Sequence, residues 1–364
     1  MFLKAKFSVY TFVKITQLTK SFLLFLFLMS SLLWTSVSHG QSRFQLMPGQ
    51  TAIAVGDIHG DLNALKEILI SAQLIDSKDN WIGGQNHLVL VGDLIDRGPQ
   101  SKEVMDFVMA LENKARLSGG HVHAMLGNHE LAVVQGRFRY LHPNDYNSFD
   151  EYARWYDRFR RDANRLKLER AFRDKKSPYA QWFKNRKTQI IIGNTLFEHA
   201  GFSPAWKEHA RKYTIDEINF MVSNWIRYYQ GELKTEPPIE TEFVIANDGP
   251  LYSRSFGAVF LWNTSVTDST SLKANNGHMN STNRNIDFEK IKRMMISKAD
   301  VKDMLDLYGV DRIVVGHTRI PHEGYMRTHP IYGDMVSMID SSISIAYNGA
   351  DYSRLSFVAI DHTG

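Results

Sequence analysis

Three consecutive units of the same kind, each a short apolar run followed by a helical pattern, constrain the fold of this 364-residue chain. The apolar runs lie at residues 52–55, 87–91 and 121–126, and their lengths and β-branched residues predict buried strands. Helical patterns follow at residues 62–72, at residues 102–111 and from Glu130 onward. Alternating strands and helices predict an α/β domain, in which ligands bind at the carboxyl ends of the strands.

Each predicted strand is followed by an Asp, Asn or His beside a glycine. The first three strand ends read Gly56-Asp57-Ile58-His59-Gly60, Gly92-Asp93-Leu94-Ile95-Asp96-Arg97-Gly98 and Gly127-Asn128-His129-Glu130. Later strand patterns at residues 189–192, 195–199, 312–315 and 336–339 include two that end in His199-Ala200-Gly201 and Gly316-His317-Thr318. Asp57 and Asp93 are 36 residues apart, and Asp93 and Asn128 are 35 apart, which is one strand–helix unit in each case. This regularity predicts one shared site.

The side chains at these strand ends are typical of a metal site with oxygen and nitrogen ligands. The chain has no cysteine, which excludes disulfide scaffolds, Cys-ligated zinc and phosphatases with a thiolate nucleophile. Carboxylate, carboxamide and imidazole together suit two divalent ions such as Mn, Fe, Zn or Co. Two such ions hold a hydroxide nucleophile and clamp a phosphoryl group. Asp93 is the candidate bridging ligand, because a carboxylate between two cations reduces their mutual repulsion.

The five motifs resemble those of the calcineurin-like metallophosphatases, in particular the phosphoprotein phosphatase branch. Asp96-Arg97-Gly98 and the Glu130 that follows Asn-His distinguish this branch. The sequence is most similar to the bacterial Shewanella-like protein phosphatases, a similarity that includes the segment Gly-Pro-Leu-Tyr-Ser-Arg at 249–254. The resemblance covers about residues 51–345. It implies an α/β calcineurin-like fold, with a central two-sheet β-sandwich flanked by helices and a helical insertion.

The resemblance also implies roles for individual residues. The first metal would be held by Asp57, His59 and Asp93, and the second by Asp93, Asn128, His199 and His317. His129 would protonate the leaving oxygen, oriented and kept cationic by Asp96. Arg97, Arg254 and Asn128 would contact the phosphate. Arg319 follows His317-Thr318 and has no assigned role, and Ala200 stands where the family usually has glycine.

The implied function is that of a metal-dependent phosphoprotein phosphatase acting on phosphate monoesters by direct attack of a hydroxide held by two metals. Phosphotyrosine is the favoured substrate, because the type protein of the subgroup is a cold-active tyrosine phosphatase. One alternative is hydrolysis of dinucleoside polyphosphates or other small phosphoesters, which uses the same core. A second alternative is a non-catalytic metal-binding or adhesive scaffold, and the presence of His129, Asp96 and Arg97 argues against it.

Residues 1–40 have the composition of a secretory signal peptide. They contain four lysines, no acidic residue and a 13-residue apolar run at 22–34, followed by small polar residues. We therefore expect a mature catalytic domain at 41–364 that is periplasmic or secreted; an uncleaved membrane anchor is the alternative. The net charge of +4 comes from this leader, so we expect no nucleic-acid partner. The expected partner is a phosphoprotein or phosphopeptide substrate of a monomer without stable membrane association after signal cleavage.

Residues 137–187 form a predicted basic helical insertion or cap. They contain 15 Lys and Arg against 7 Asp and Glu. Such a segment is either a solvated amphipathic helix pair or a basic rim that attracts anionic substrates. Its aromatic residues Tyr152, Trp155, Tyr156 and Phe159 have helical spacing, which favours a core-facing stripe over stacking on a substrate ring. We also predict a long surface loop at 263–285 and a final hairpin near Asn348-Gly349.

Overall fold

A computed structural model describes residues 41–258, 292–320, 326–348 and 354–362, without the side chains of residues 158 and 348. The predicted signal peptide and the predicted surface loop at 263–285 lie outside these residues. Within the described part, no helix combines the length and the apolar character needed to cross a bilayer.

One sheet is formed by the three predicted strand–helix units. Strands β2 (Thr51–Val55), β3 (His87–Leu90) and β4 (His121–Ala124) pair in parallel, with β3 in the middle. β3 is fully buried, as its apolar run predicts. A strand that the sequence pattern did not reveal, Val358–Asp361, pairs antiparallel with β2. The order across this sheet is therefore β4, β3, β2 and the last strand of the chain, β9.

A second sheet contains the five other strands, which come from the beginning, the middle and the later part of the described chain. It contains β1 (Arg43–Phe44), β5 (Gln189–Ile192), β6 (Thr195–Glu198), β7 (Arg312–Val315) and β8 (Val336–Met338), in that order. β5 and β6 are antiparallel, whereas β6, β7 and β8 run parallel to one another. The predicted hairpin near Asn348 is wrong, because β8 and β9 belong to different sheets and Asn348 ends a helical turn.

The helices up to β5 agree with the predicted strand–helix units and helical insertion, whereas the sequence analysis predicts none of those that follow β6. Helix α1 (Leu62–Ser71) buries Ala64, Leu65, Ile68 and Leu69, and Asp61 caps its first turn. Helix α2 (Ser101–Leu117) is longer than its predicted core. The others are α3 (Asn128–Val134), α4 (Asp145–Ser148), α5 (Ala163–Arg173), α6 (Pro178–Lys184), α7 (Trp206–Ala210), α8 (Ile215–Tyr229), α9 (Glu240–Ile245), α10 (Lys298–Tyr308) and α11 (Ile345–Asn348).

A single hydrophobic core joins the two sheets. It contains residues of the first sheet such as Val55 and Leu90 together with Phe197 and Val314 of the second. The predicted fold class, an α/β protein with two sheets flanked by helices, is therefore confirmed. The carboxyl ends of β2, β3, β4, β6 and β7 are the positions from which the chemically active side chains extend.

The insertion contains α4, α5, α6 and two short 3₁₀ turns at Asp150–Tyr152 and Asp157–Phe159. Several of its cations are paired, including Lys167 with Asp150 and Arg170 with Asp157. The predicted core-facing aromatic stripe is wrong: Trp155, Tyr156 and Phe159 are 73%, 45% and 77% exposed. The chain forms separate turns here instead of one helix, so helical spacing does not place these rings on one buried face.

Candidate metal centre

The ends of the two sheets meet, and the predicted ligands cross from one sheet to the other. The Oδ1 atom of Asp57, after β2, accepts a hydrogen bond from the backbone N–H of His317, after β7, at 2.9 Å. Oδ1 of Asp93, after β3, lies 3.4 Å from Nε2 of His199, after β6. All four side chains are buried. The structure thus brings together side chains that are up to 260 residues apart in the chain.

Two groups of side chains could each hold a metal ion, and they share Asp93. One group is His59, Asp93 and His129, and the other is Asp93, His199 and His317; the potential ligand atoms of each group lie within 4.8 Å of one another. Asp57 adjoins the first group, since its Oδ2 is 3.9 Å from Nε2 of His59. Asn128 adjoins the second, with its Oδ1 3.1 Å from Nε2 of His199.

Three of the histidines are oriented by backbone carbonyls. Nδ1 of His59 lies 3.1 Å from Ile95 O, and Nδ1 of His199 lies 2.9 Å from Val91 O. Nε2 of His317 lies 3.1 Å from Tyr252 O. A carbonyl can only accept, so each of these nitrogens carries a proton. The opposite nitrogens of His59 and His317 are then available to a metal, whereas that of His199 faces Asn128 and Asp93, the residues with which it would share an ion. This donor set fits the predicted divalent ions.

His129 differs from these three because its Nδ1 contacts a carboxylate. The atom lies 2.6 Å from Oδ2 of Asp96, and both residues are buried. Burial alone lowers the pKa of His129, but the carboxylates of Asp93 and Asp96 outweigh it and raise the pKa above its ordinary value. A cationic imidazole cannot bind a metal ion, so the contact with Asp96 suits a proton donor and not a ligand.

The electrostatics of the cluster favour bound cations. Burial raises the pKa of Asp57 well above its ordinary value, and the carboxylates of Asp340 and Asp93 contribute to the increase. Burial also lowers the pKa of His59 to about 3, which keeps this ring in the neutral form that binds metals. Positive ions among these three buried carboxylates would remove the repulsion that raises the pKa of Asp57.

The backbone around the site is held in unusual conformations. His59, Asp93, Asp96, Arg97 and His317 all have positive φ angles, between 46° and 71°. Such angles are unfavourable for residues other than glycine, and they cluster at functional sites. Five of the eight described non-glycine residues with positive φ belong to this site.

Two strand-end glycines make room for the carboxylates. A Cβ atom on Gly127 would lie 2.2 Å from Oδ1 of Asp93, and one on Gly316 would lie 2.3 Å from Oδ1 of Asp57. The neighbouring Glu130 accepts hydrogen bonds from the N–H groups of Asp93, Leu94 and Gly127. Glu130 therefore fixes the backbone that carries Asp93, a role that its place in the motif did not reveal.

Arginines surround the mouth of the cluster. Nη2 of Arg97 lies 3.0 Å from Nε2 of His129, and Nη1 of Arg97 donates to the hydroxyl of Tyr347. The predicted phosphate ligand Arg254 is exposed, with Nη1 3.3 Å from His317 O. Arg319, without a role in the sequence analysis, lies with its guanidinium carbon 4.7 Å from the ring centre of Tyr347.

Sequence reasoning missed Tyr347 and Asp340. The ring of Tyr347 contacts the guanidinium groups of Arg97 and Arg319 and the ring of His59. Asp340 is buried, and its charge acts on Asp57 and Arg254. Neither residue stands beside a glycine at the end of a strand, so the motif that revealed the other site residues did not reveal these two.

Two mixed sheets with a thiol-free cluster of Asp, Asn and His at their joined ends define the class of metallophosphoesterases. The family model for calcineurin-like phosphoesterases matches residues 51–321, a range that contains every predicted metal ligand. The match covers most of the chain, and the protein therefore belongs to the calcineurin-like phosphoesterase family.

Individual relatives and one solved structure refine this placement. The chain is 30% identical to Shewanella-like protein phosphatase 2 of Arabidopsis thaliana over 52% of its own length and 55% of the relative's. It is 28% identical to Shewanella-like protein phosphatase 1 of Plasmodium berghei, over 81% of its own length and 68% of the relative's. The structure of a cold-active protein-tyrosine phosphatase of a psychrophilic Shewanella species is similar, with a TM-score of 0.63, 25% identity, and coverage of 88% of this chain and 78% of that one. The chain spans little more than half of the Arabidopsis relative.

Proposed function

We propose that this protein is a metal-dependent phosphoprotein phosphatase that hydrolyses phosphate monoesters and favours phosphotyrosine. The observation that carries the proposal is the pair of buried His and Asp groups that share Asp93. The preference for phosphotyrosine is supported by the similarity to the Shewanella enzyme, whose title names it a protein-tyrosine phosphatase. The absence of cysteine from the chain requires a mechanism without a thiolate nucleophile.

The proposed ligands divide into two sets. Asp57, His59 and Asp93 would hold one ion, and the second would be held by Asp93, Asn128, His199 and His317. Mn, Fe, Zn or Co fits this mixture of oxygen and nitrogen donors. Divalent ions in these positions would supply Lewis acidity for the phosphoryl group and would activate water as the nucleophile, so that no phosphoenzyme is needed.

The protein's own side chains would bind the phosphate and move the proton. Arg97 and Arg254 point guanidinium groups into the mouth of the site and can donate paired hydrogen bonds to phosphate oxygens. Nε2 of His129 would donate a proton to the leaving oxygen, which is needed most when the leaving group is a poor one. Asp96 holds the opposite nitrogen of that ring.

The first test is metal dependence. The purified protein is stripped with a chelator and assayed on 4-nitrophenyl phosphate with Mn, Zn, Fe, Co, Mg or no ion added. We expect activity to disappear on stripping and to return with a particular transition ion. Activity that survives verified metal removal, or that no ion produces, would refute the proposal.

Two further measurements sharpen the assignment. Rates on a phosphotyrosyl peptide, a phosphoseryl peptide and a dinucleoside tetraphosphate separate the proposed activity from the small-molecule alternative. In the variant Asp93→Asn, which weakens the ligand shared by both groups, we expect activity to fall by more than about 1,000-fold. Asp303→Asn, a change of the same kind at an exposed residue of α10, is the control and should keep full activity.

A further inference from the structure

The loop between β3 and α2 carries two functional side chains on an unfavourable backbone. Asp96 and Arg97 are consecutive, and their φ angles are 71° and 70°. Each left-handed residue of this kind costs about 1 kcal/mol or more, so other contacts have to hold the loop in place. The Asp96 carboxylate is fixed to His129 through Oδ2 alone, since the buried Oδ1 has no hydrogen-bond partner among the described residues. Its orientation therefore depends on the backbone beneath it.

A serine and an aspartate hold that backbone. Oγ of Ser101 accepts a hydrogen bond from the N–H of Asp96 at 3.0 Å. The same hydroxyl donates to Oδ2 of Asp145 at 2.7 Å, and Oδ1 of Asp145 accepts from the N–H of Ser101 at 3.0 Å. Ser101 and Asp145 are completely buried. Both oxygens of Asp145 are thus committed to the one residue that contacts the Asp96 backbone.

Asp145 is part of the insertion, whose first residues also reach the rest of the loop. The carbonyl of Tyr140 accepts a hydrogen bond from the N–H of Arg97 at 2.8 Å. The ring of Tyr140 lies 5.1 Å from that of His129, measured between ring centres. Residues 140–145 therefore reach the loop directly at Arg97 and through Ser101 at Asp96, and the Tyr140 ring packs beside the histidine that the loop orients.

We propose that Asp145 is a positioning residue of the phosphatase: through Ser101 it holds the Asp96 backbone so that the Asp96 carboxylate stays on Nδ1 of His129. This role rests on the proposed function, in which His129 protonates the leaving oxygen. The beginning of the basic insertion therefore helps to fix the geometry of the site, in addition to any effect of its charge on substrates. Neither Ser101 nor Asp145 touches the substrate or a proposed metal ligand.

The test uses two substrates that differ in their need for an acid. Phenol is a poor leaving group and 4-nitrophenol a good one, so a misplaced His129 slows phenyl phosphate hydrolysis more. For Ser101→Ala and for Asp145→Ala we expect kcat on phenyl phosphate to fall about 10–100-fold and kcat on 4-nitrophenyl phosphate by less than about threefold. KM should change by less than about twofold in both cases, since the phosphate ligands are kept.

A double variant and two controls complete the design. If the two residues act through one chain of hydrogen bonds, Ser101→Ala with Asp145→Ala should cost no more than the larger single change. Ser101→Thr keeps the hydroxyl and should restore the wild-type ratio of the two rates. Asp157→Ala removes another buried carboxylate of the insertion, one that pairs with Arg170, and should affect both substrates equally. Circular dichroism at the assay temperature verifies folding, and Ser101→Ala, which removes one oxygen, carries the test if Asp145→Ala does not fold.

The outcomes separate this inference from the proposed function. If kcat falls equally on both substrates in Ser101→Ala and Asp145→Ala, the positioning role is overturned and a structural role remains. Additive effects in the double variant would have the same meaning. A wild-type protein that hydrolyses neither substrate with any divalent ion would refute the phosphatase assignment itself. An active wild type whose variants slow more on phenyl phosphate than on 4-nitrophenyl phosphate, as described, supports both.

Discussion

Arg97 and His129 are in direct contact: Nη2 of Arg97 lies 3.0 Å from Nε2 of His129, which joins the proposed phosphate ligand to the proposed proton donor. Asp96 holds the other ring nitrogen, so the guanidinium of Arg97 faces the nitrogen that would donate the proton. A phosphate that takes over the donors of Arg97 releases Nε2. Substrate binding would therefore prepare His129 to act as the acid.

This contact predicts that Arg97 is needed both for affinity and for rate. In Arg97→Lys, a single ammonium replaces the paired donors of the guanidinium, and we expect kcat/KM on 4-nitrophenyl phosphate to fall about 100-fold. Inhibition by inorganic phosphate should weaken about tenfold. Arg160→Lys, at an exposed arginine that pairs with Asp162, should remain within twofold of wild type. Unchanged phosphate inhibition in Arg97→Lys would contradict the proposed phosphate contact.

Tyr347 is predicted to hold Arg97 in place. Its hydroxyl accepts from Arg97, and its ring contacts the guanidinium groups of Arg97 and Arg319. Tyr347→Phe keeps the stacked ring and loses the hydrogen bond, so we expect KM to rise about 3–10-fold with kcat nearly unchanged. Tyr228→Phe in α8 is the matched control. Steady-state kinetics with a fall in kcat and no change in KM would show that the hydroxyl has another role.

Gly316→Ala should empty the metal site without unfolding the protein. The added Cβ would lie 2.3 Å from Oδ1 of Asp57 and would displace this carboxylate. We expect the metal content, measured by elemental analysis, to fall and activity to drop at least about 100-fold. Gly231→Ala places a Cβ in open space at a positive φ, and it should cost about 1 kcal/mol of stability with the metal content retained. Full metal loading of Gly316→Ala would show that Asp57 is dispensable.

The stability of the protein should depend on pH through His87. Burial, with a contribution from the charge of His121, lowers the pKa of His87 to about 4 from its ordinary 6.5. Between these values the unfolded chain binds the proton and the folded chain does not, so stability is present above pH 6.5 and is lost as pH falls toward 4. We expect this ring to contribute a loss of about 1–2 kcal/mol over this range.

Urea unfolding at pH 7 and pH 4.5 measures this effect. The difference in unfolding free energy between the two pH values should be smaller in His87→Phe than in wild type. His362→Phe, at an exposed histidine, should keep the wild-type difference. If His87→Phe and wild type lose the same stability on acidification, other groups are responsible for the pH dependence.

The parts of the fold with a local signal could be predicted from the sequence. The strands of the first three units and the residues after them follow from apolar runs and glycine motifs, because parallel strands bring their carboxyl ends to one edge. β1 has two residues and β9 pairs with a strand about 300 positions earlier, so neither had a pattern of its own. The aromatic residues of the insertion were predicted wrongly for the opposite reason, because here a pattern was present without the structure. Their spacing would place them on one face only if the chain formed a single helix.

The same distinction applies to the site. Asp57, Asp93 and His199 could be predicted because they follow strands, whereas Asp145 and Tyr347 reach the site from segments without a motif. The glycines of these motifs served the prediction as markers of strand ends, and two of them also leave space for carboxylate oxygens. Those short distances exist only after strands from different parts of the chain have packed together.

The contacts that join the two sheets at the cluster also make catalytic activity depend on the correct packing of one sheet against the other. Asp57 and Asp93 come from one sheet, and His317 and His199 come from the other. A small separation of the sheets would break these contacts while every strand and helix remained formed. In a denaturant titration, enzymatic activity should therefore decline before the far-ultraviolet circular dichroism signal changes, and the earlier of the two transitions would report the two halves moving apart.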